Sequence, residues 1–166
     1  MNQETITIRE AKAEDFEALY PILQEVISAG ETYGYARDMN REEIEHIWMH
    51  APRQTFVAEA DGEILGTYYI KTNQYGQGSH VCNCGYMVSS AARGRGVATQ
   101  MCLHSQEIAT ALGYRAMQFN FVASSNKAAV ALWQKMGFET AGRLPGAFNH
   151  PTLGYIDALV MYKWFR

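Results

Sequence analysis

Apolar and polar residues alternate over Thr5-Ile6-Thr7-Ile8-Arg9, the period-two pattern of a strand with one buried face. From Glu14 the spacing becomes helical, with Phe16, Leu19, Leu23, Val26 and Ile27 on one stripe and Gly30 as the stop. Pro21 falls inside this stripe and predicts a kink. Asn40, with Glu43 three residues on, predicts the start of a second helix carrying Ile44, Ile47 and Trp48. Gln54–Ala60 and Glu63–Thr72 read as strands joined by Asp61-Gly62, a hairpin-turn dipeptide. Asn73–Gly78 follows as a loop and His80–Ser89 as a strand. A helix is expected from about Gly96 to Leu112, ended by Gly113, and then a strand over Arg115–Val122. The remaining elements are a helix over Asn126–Met136 closed by Gly137, a strand over Phe138–Arg143, a loop over Leu144–Gly154 and a last strand over Tyr155–Phe165. The order β-α-α-β-β-β-α-β-α-β-β predicts an α/β fold, a mixed sheet with helices on both faces.

Composition narrows the functional classes. The chain has 166 residues without internal repeat, low-complexity stretch or linker, which suits one domain over 1–166. A formal net charge of −3, with no basic block, argues against a general nucleic-acid or membrane surface. No apolar run approaches membrane-spanning length, and MNQETITIRE lacks the apolar core of a secretory leader. The three cysteines, Cys82, Cys84 and Cys102, read as reduced thiols, so a cytoplasmic protein is expected. His80, Cys82 and Cys84 share one face of a strand, but a structural zinc site wants a fourth ligand and usually a Cys-x-x-Cys knuckle. No metal is therefore expected.

The segment Ser89–Cys102, SSAARGRGVATQMC, carries the most chemistry. Arg93-Gly94-Arg95-Gly96 bends the chain just before a helix begins at Val97. The first turn of a helix has N–H groups without partners, the macrodipole adds positive charge, and glycine lets backbone approach a ligand. Together these make an anion site, most naturally for phosphate, with Arg93 and Arg95 adding full charge. No Gly-Lys-Ser/Thr is present, and the third glycine of a dinucleotide fingerprint is missing. A solvated strand-to-helix turn would account for the same residue types.

Arg93-Gly94-Arg95-Gly96-Val97-Ala98 resembles the acetyl-CoA pyrophosphate loop of the GCN5-related N-acetyltransferases (GNAT), Arg/Gln-x-x-Gly-x-Gly/Ala. Asn126-Lys-Ala-Ala-Val-Ala-Leu-Trp133-Gln-Lys-Met-Gly137-Phe138 resembles that family's second signature, an asparagine opening a helix that ends in Gly-Phe. The element order agrees from Arg9 to Phe165. The stretches Gly66–Lys71, Ser79–Gly85 and Phe119–Val122 are similar to the fungal and bacterial subgroup that acetylates the proline analogue azetidine-2-carboxylate. The resemblance implies a GNAT fold with a mostly antiparallel central sheet of about seven strands, and acetyl-CoA as cosubstrate. It implies that the pantetheine arm inserts between the strands His80–Ser89 and Arg115–Val122, held by backbone at Met87 and Val88. Arg93 to Ala98 would hold the diphosphate, and Asn126 and Trp133 would touch the arm; a helix cap accounts for Asn126 and core packing for Trp133 equally.

Asn83 and Asn120 are polar residues in otherwise apolar strands, the expected catalytic pair: one would position the acceptor or a water, the other polarise the thioester. A side-chain amide does not titrate, so neither is a base; local backbone satisfaction explains both residues equally well. Trp133 stands where many family members carry a tyrosine that protonates the departing thiolate. Tyr86, Tyr155 and Tyr162 are substitutes to consider, as is an unassisted leaving group. Glu31 and Tyr33, in Gly30-Glu31-Thr32-Tyr33-Gly34-Tyr35, would meet the acceptor amine, and Phe148-Asn149-His150 is a second candidate lid. The expected acceptor is a small amine, an amino or imino acid attacked directly in a ternary complex. A protein N-terminal or lysine acetyltransferase and a non-catalytic acetyl-CoA binder stand as alternatives. A homodimer is compatible with the pattern.

Overall fold

The computed structural model describes residues 4–166. One sheet holds the chain together, with strands β1 (Thr7–Glu10), β2 (Gln54–Ala60), β3 (Glu63–Thr72), β4 (Val81–Val88), β5 (Ala116–Ala123), β6 (Glu139–His150) and β7 (Gly154–Trp164). Their spatial order is β1-β2-β3-β4-β5-β7-β6. Every neighbouring pair is antiparallel except β4 and β5. Among the described residues, four α-helices cover it: α1 (Phe16–Ala29), α2 (Arg41–Glu45), α3 (Val97–Ala111) and α4 (Lys127–Lys135). The order is the one expected.

Two cores lie on opposite faces of the sheet. On one, Phe16, Leu19, Leu23, Ile27, Ile44 and Trp48 from the α1–α2 side pack on Val57, Tyr69 and Met87. On the other, Val97, Met101, Cys102 and Ala109 of α3, with Trp133 of α4, pack on Tyr68, Cys84, Tyr86, Met117 and Phe119. Cys82 and Cys84 are buried in this second core, while His80 is exposed and meets Trp164 edge-on. Strand alternation therefore sorts β4: even-numbered side chains point to α3, odd-numbered ones to α1.

Local chemistry sets the boundaries. Asn40 and Glu43 close both bonds of a capping box, and α2 continues into one wider turn over His46–His50. Asp61 and Gly62 both take positive φ at the β2–β3 turn. α1 runs through Pro21, which is exposed, so water can satisfy the carbonyl that proline leaves without a donor.

The expected loop over Leu144–Gly154 is a correction. β6 continues to His150 and pairs Phe148 with Ile156 and His150 with Gly154. Pro145 and Gly146 sit in an irregularity of this edge strand, Gly146 at φ 60°, with its N–H donating to Asp157 at 3.0 Å. A bulge on an edge strand tolerates proline, whose missing N–H faces no neighbour. Phe148 is accordingly buried against Ala123 and Ala158, a packed part of a hairpin and no mobile lid.

Candidate active site

β4 and β5 pair only at Val81–Ala116 and Cys82–Met117, then splay. The parity of the β3–β4 ladder tells which backbone groups the splay leaves free. Asn73 N–H bonds to Val81 C=O, and Ser89 N–H to Leu65 C=O, so odd-numbered β4 residues pair with β3. The backbone groups of Tyr86 and Val88 face the gap instead. Met87 is a correction to the expected pair: it lies opposite Thr67 on β3, and its side chain is buried under α1.

Beyond β4 the chain passes Arg93 and Gly94 into α3. Gly94 and Gly96 each take φ 78°, and a Cβ at either would meet nothing within 4 Å. These glycines answer to backbone conformation, with space left over them. Gly96 is the N-cap of α3 and supplies no side-chain acceptor, so the first-turn N–H groups of Val97, Ala98 and Thr99 point outward uncapped. Gly66 brings this helix end close to the sheet; its added Cβ would meet Val97 at 2.9 Å and Met87 C=O at 3.2 Å. Arg93 lines the cavity there. Arg95 is not among the lining residues; its guanidinium pairs with the carboxylate of Glu4.

The gap and the α3 end open into one cavity of about 1130 Å³. Asn83, Met87, Val88, Arg93, Gly94, Gly96, Val97, Ala98, Asn120, Asn126, Trp133, Glu31 and Tyr33 all line it. The structure thus brings together every expected site residue except Arg95. Asn126 caps α4 through its side-chain oxygen, which accepts from Ala129 N–H at 3.3 Å. Trp133 lies tilted between Tyr86 and Phe119, at 5.0 and 4.8 Å between ring centres, as part of the wall.

Asn83 and Asn120 sit in different settings. Asn83 is buried and bridges the start of the splay, donating to Gln118 C=O on β5 at 2.9 Å and accepting from Tyr69 hydroxyl at 3.3 Å. Asn120 is exposed at the rim; its amide donates to Asn73 at 2.7 Å and its oxygen accepts from Gln118 at 2.9 Å. They line the same cavity and have no bond with each other.

Three phenols of the α1–α2 side converge on this end: Tyr33, Tyr35 and Tyr69. Burial pushes the pKa of each upward, which keeps them neutral donors. Tyr69 lies over Gly85, where a Cβ would come within 2.6 Å of its ring, and Trp48 of the α2 side braces it edge-on at 4.8 Å. Lys71 places its ammonium 5.3 Å from the centre of the Tyr69 ring. It lies opposite Asn83 in the β3–β4 register and has no ion pair among the described residues. Tyr69 and Lys71 were not singled out from the sequence. Their period-two relation to each other and to the turn was the available signal, yet any half-buried strand shows it. Of the other tyrosines considered as acids, Tyr86 bonds to Ser105 in the α3 core at 2.6 Å, while Tyr155 and Tyr162 lie outside the cavity lining.

Residues 16–138 match the model of the acetyltransferase (GNAT) family. The chain belongs to that family. GNAT enzymes take their acyl group from acetyl-CoA, and the uncapped α3 terminus, the two positive-φ glycines and the edge of β4 that β5 leaves unpaired are what a diphosphate followed by an extended amide-bearing arm needs. A GNAT structure from Kribbella flavida is 40% identical with a TM-score of 0.92, covering 96% of this chain and 98% of its own. The N-acetyltransferase aca1 of Schizosaccharomyces pombe is 33% identical over 108 residues, 61% of this chain and 49% of its own length, so the chain spans about half of that relative. An acetyltransferase structure from Salmonella typhimurium determined with acetyl-CoA shares the fold, at 19% identity and TM-score 0.84 over 97% of this chain and 94% of its own.

Proposed function

We propose that this GNAT chain moves the acetyl group of acetyl-CoA to the nitrogen of a small amine that carries a carboxylate, an amino or imino acid. The observation that carries the reading is a single cavity joining the β4–β5 gap to a chamber lined by Glu31, Lys71, Asn83 and Asn120. The donor supplies an activated acyl carbon; the acceptor, having given its ammonium proton to solvent, forms the C–N bond as the C–S bond breaks, and the proton shed by the acylated nitrogen balances the one the departing thiolate takes up from solvent. The chain's part is to hold the two reactants in line and to stabilise charge on the carbonyl oxygen. Arg93 and the amides at 97–99 suit the diphosphate, and the gap-facing Tyr86 and Val88 backbone suits the arm. Asn83 and Asn120, as non-titrating amides, act by hydrogen bonding.

Among the described residues, Glu31 is the one carboxylate in the lining, and Lys71 the one lysine or arginine besides Arg93. A zwitterionic acceptor matches that division, with its ammonium towards Glu31 and its carboxylate towards Lys71. The Gly30–Tyr35 loop crosses the chamber, which supports a small acceptor over a protein amine. Three free buried thiols fit a reducing compartment, and a cytoplasmic location belongs to this reading.

Thiol release from acetyl-CoA tests it with pairs of amines that differ only in the carboxylate, azetidine-2-carboxylate and azetidine among them. Turnover is expected with the acid, with kcat/KM at least tenfold above the amine lacking it, and Lys71→Met should narrow that ratio. Donor binding without turnover of any small amine would sink the reading.

A further inference from the structure

The gap-facing peptide group of Tyr86 is hydrogen-bonded by a side chain of the protein itself. The Tyr33 hydroxyl accepts from Tyr86 N–H at 2.7 Å and donates to Tyr86 C=O at 2.6 Å. One side-chain oxygen thus makes both bonds that a residue of a neighbouring strand would make. The gap permits this because β5 has already turned away after Met117.

The loop that delivers Tyr33 is seated at several points. Gly30 ends α1 in the left-handed region at φ 66°, and Arg37 ties the loop back by donating to Ser28 C=O at 2.7 Å. Gly34 rests on β5, where an added Cβ would lie 3.0 Å from the Phe121 ring. Tyr35 stacks on Tyr33 at 5.8 Å and 6° between planes. The loop therefore spans from β4 to β5 across the opening. Burial disfavours the charged phenolate, so the Tyr33 O–H is retained as a donor.

We infer that Tyr33 is a placeholder in the donor slot: its hydroxyl holds the Tyr86 peptide group in the free enzyme and is displaced when the extended arm of the acyl donor takes those two bonds. This rests on the reading that the donor enters the β4–β5 gap. The displaced ring has the acceptor chamber beside it, since Tyr35, Tyr69 and Glu31 line the same cavity. The acceptor site is then completed only after the donor binds, which makes Tyr33 a positioning residue and the order of addition donor first. The placeholder also keeps a buried N–H and C=O satisfied in the free protein, groups that are costly to leave unpaired.

Calorimetric titration of the whole protein with CoA, which cannot turn over, measures the competition directly. Tyr33→Phe removes the competing hydroxyl and keeps the ring, and is expected to bind CoA roughly tenfold more tightly, the equivalent of about one net hydrogen bond. Unchanged or weaker binding overturns the placeholder. Amide exchange supplies a second measurement: Tyr86 N–H should be protected in the free wild type and exchange at least tenfold faster in Tyr33→Phe. A third uses the wild type alone. The Tyr33 ring resonances should shift on saturation with CoA, and resonances that stay fixed overturn the inference even if the variant misfolds. No heat from the wild type would sink the donor site itself; heat from the wild type with an unaltered variant sinks only the placeholder.

Discussion

Asn83 and Asn120 show how one residue type does different work at two depths. Asn83 is 7% exposed and ties β4 to β5 where the strands part, so its removal strips the half-buried Gln118 carbonyl of this donor. Asn83→Ala should lower stability by about 1–3 kcal/mol in urea titrations, alongside a loss of turnover. Asn120 lies at the rim, and its side chain bonds to those of Asn73 and Gln118. Asn120→Ala should leave the urea midpoint in place and lower kcat at least tenfold with little change in CoA affinity. An unchanged kcat would remove Asn120 from the mechanism. Trp133 shows the opposite case, an unusual residue with a packing account: its ring fills the wall between Tyr86, Phe119 and Phe138.

At the scale of elements, the site depends on how close α3 comes to β3. Gly66 makes that approach possible, because any Cβ there would strike Val97 and the Met87 carbonyl. Gly66→Ala should therefore push out the first turn of α3, lowering Tm and weakening CoA binding together. Gly62→Ala is the comparison. It also replaces glycine, at φ 79°, but a Cβ there meets nothing within 4 Å and the turn is far along the chain from α3. Its strain, about 1 kcal/mol, should lower Tm while CoA affinity stays the same. If both variants bind CoA alike, the helix end is not what grips the donor.

The whole molecule is fastened at its open edge by charge. Arg9 of β1 donates to Asp15, at the entrance to α1, at 2.8 and 2.9 Å, and to Glu59 of β2 at 3.0 Å. Asp15 also accepts Lys12 N–H at 2.7 Å. Arg9 holds the Asp15 carboxyl below its ordinary pKa, chiefly through these hydrogen bonds. A carboxyl depressed on folding stabilises the fold above its unfolded pKa, and that stability is lost as pH falls through the lower, folded value. Asp15→Asn should cost about 2 kcal/mol at pH 7, with the gap to wild type closing below about pH 4 in urea titrations. A gap that stays constant through acid would show that the charge is not what holds this corner. Among the described residues, no helix is long and apolar enough to cross a membrane.

Secondary structure was legible wherever short-range rules decide it. The Asn40–Glu43 box, the Asp61-Gly62 turn and the glycine stops after α1, α3 and α4 lie where side-chain chemistry within four residues puts them. The Arg93–Ala98 bend was legible for the same reason, because left-handed glycines before an uncapped helix are a local matter. Residues fixed by long-range pairing were not. The second half of β6 reads as a loop until Phe148 finds Ala123 and Ala158, and the pairing of Arg95 with Glu4, 91 positions away, leaves no mark on local spacing. Which β4 amides are free depends on ladder parity with β3, and who occupies them depends on a tyrosine 53 positions earlier. Spacing along a chain carries the conformations of neighbours; the gap, its lining and its occupant come into being only when distant segments share one sheet.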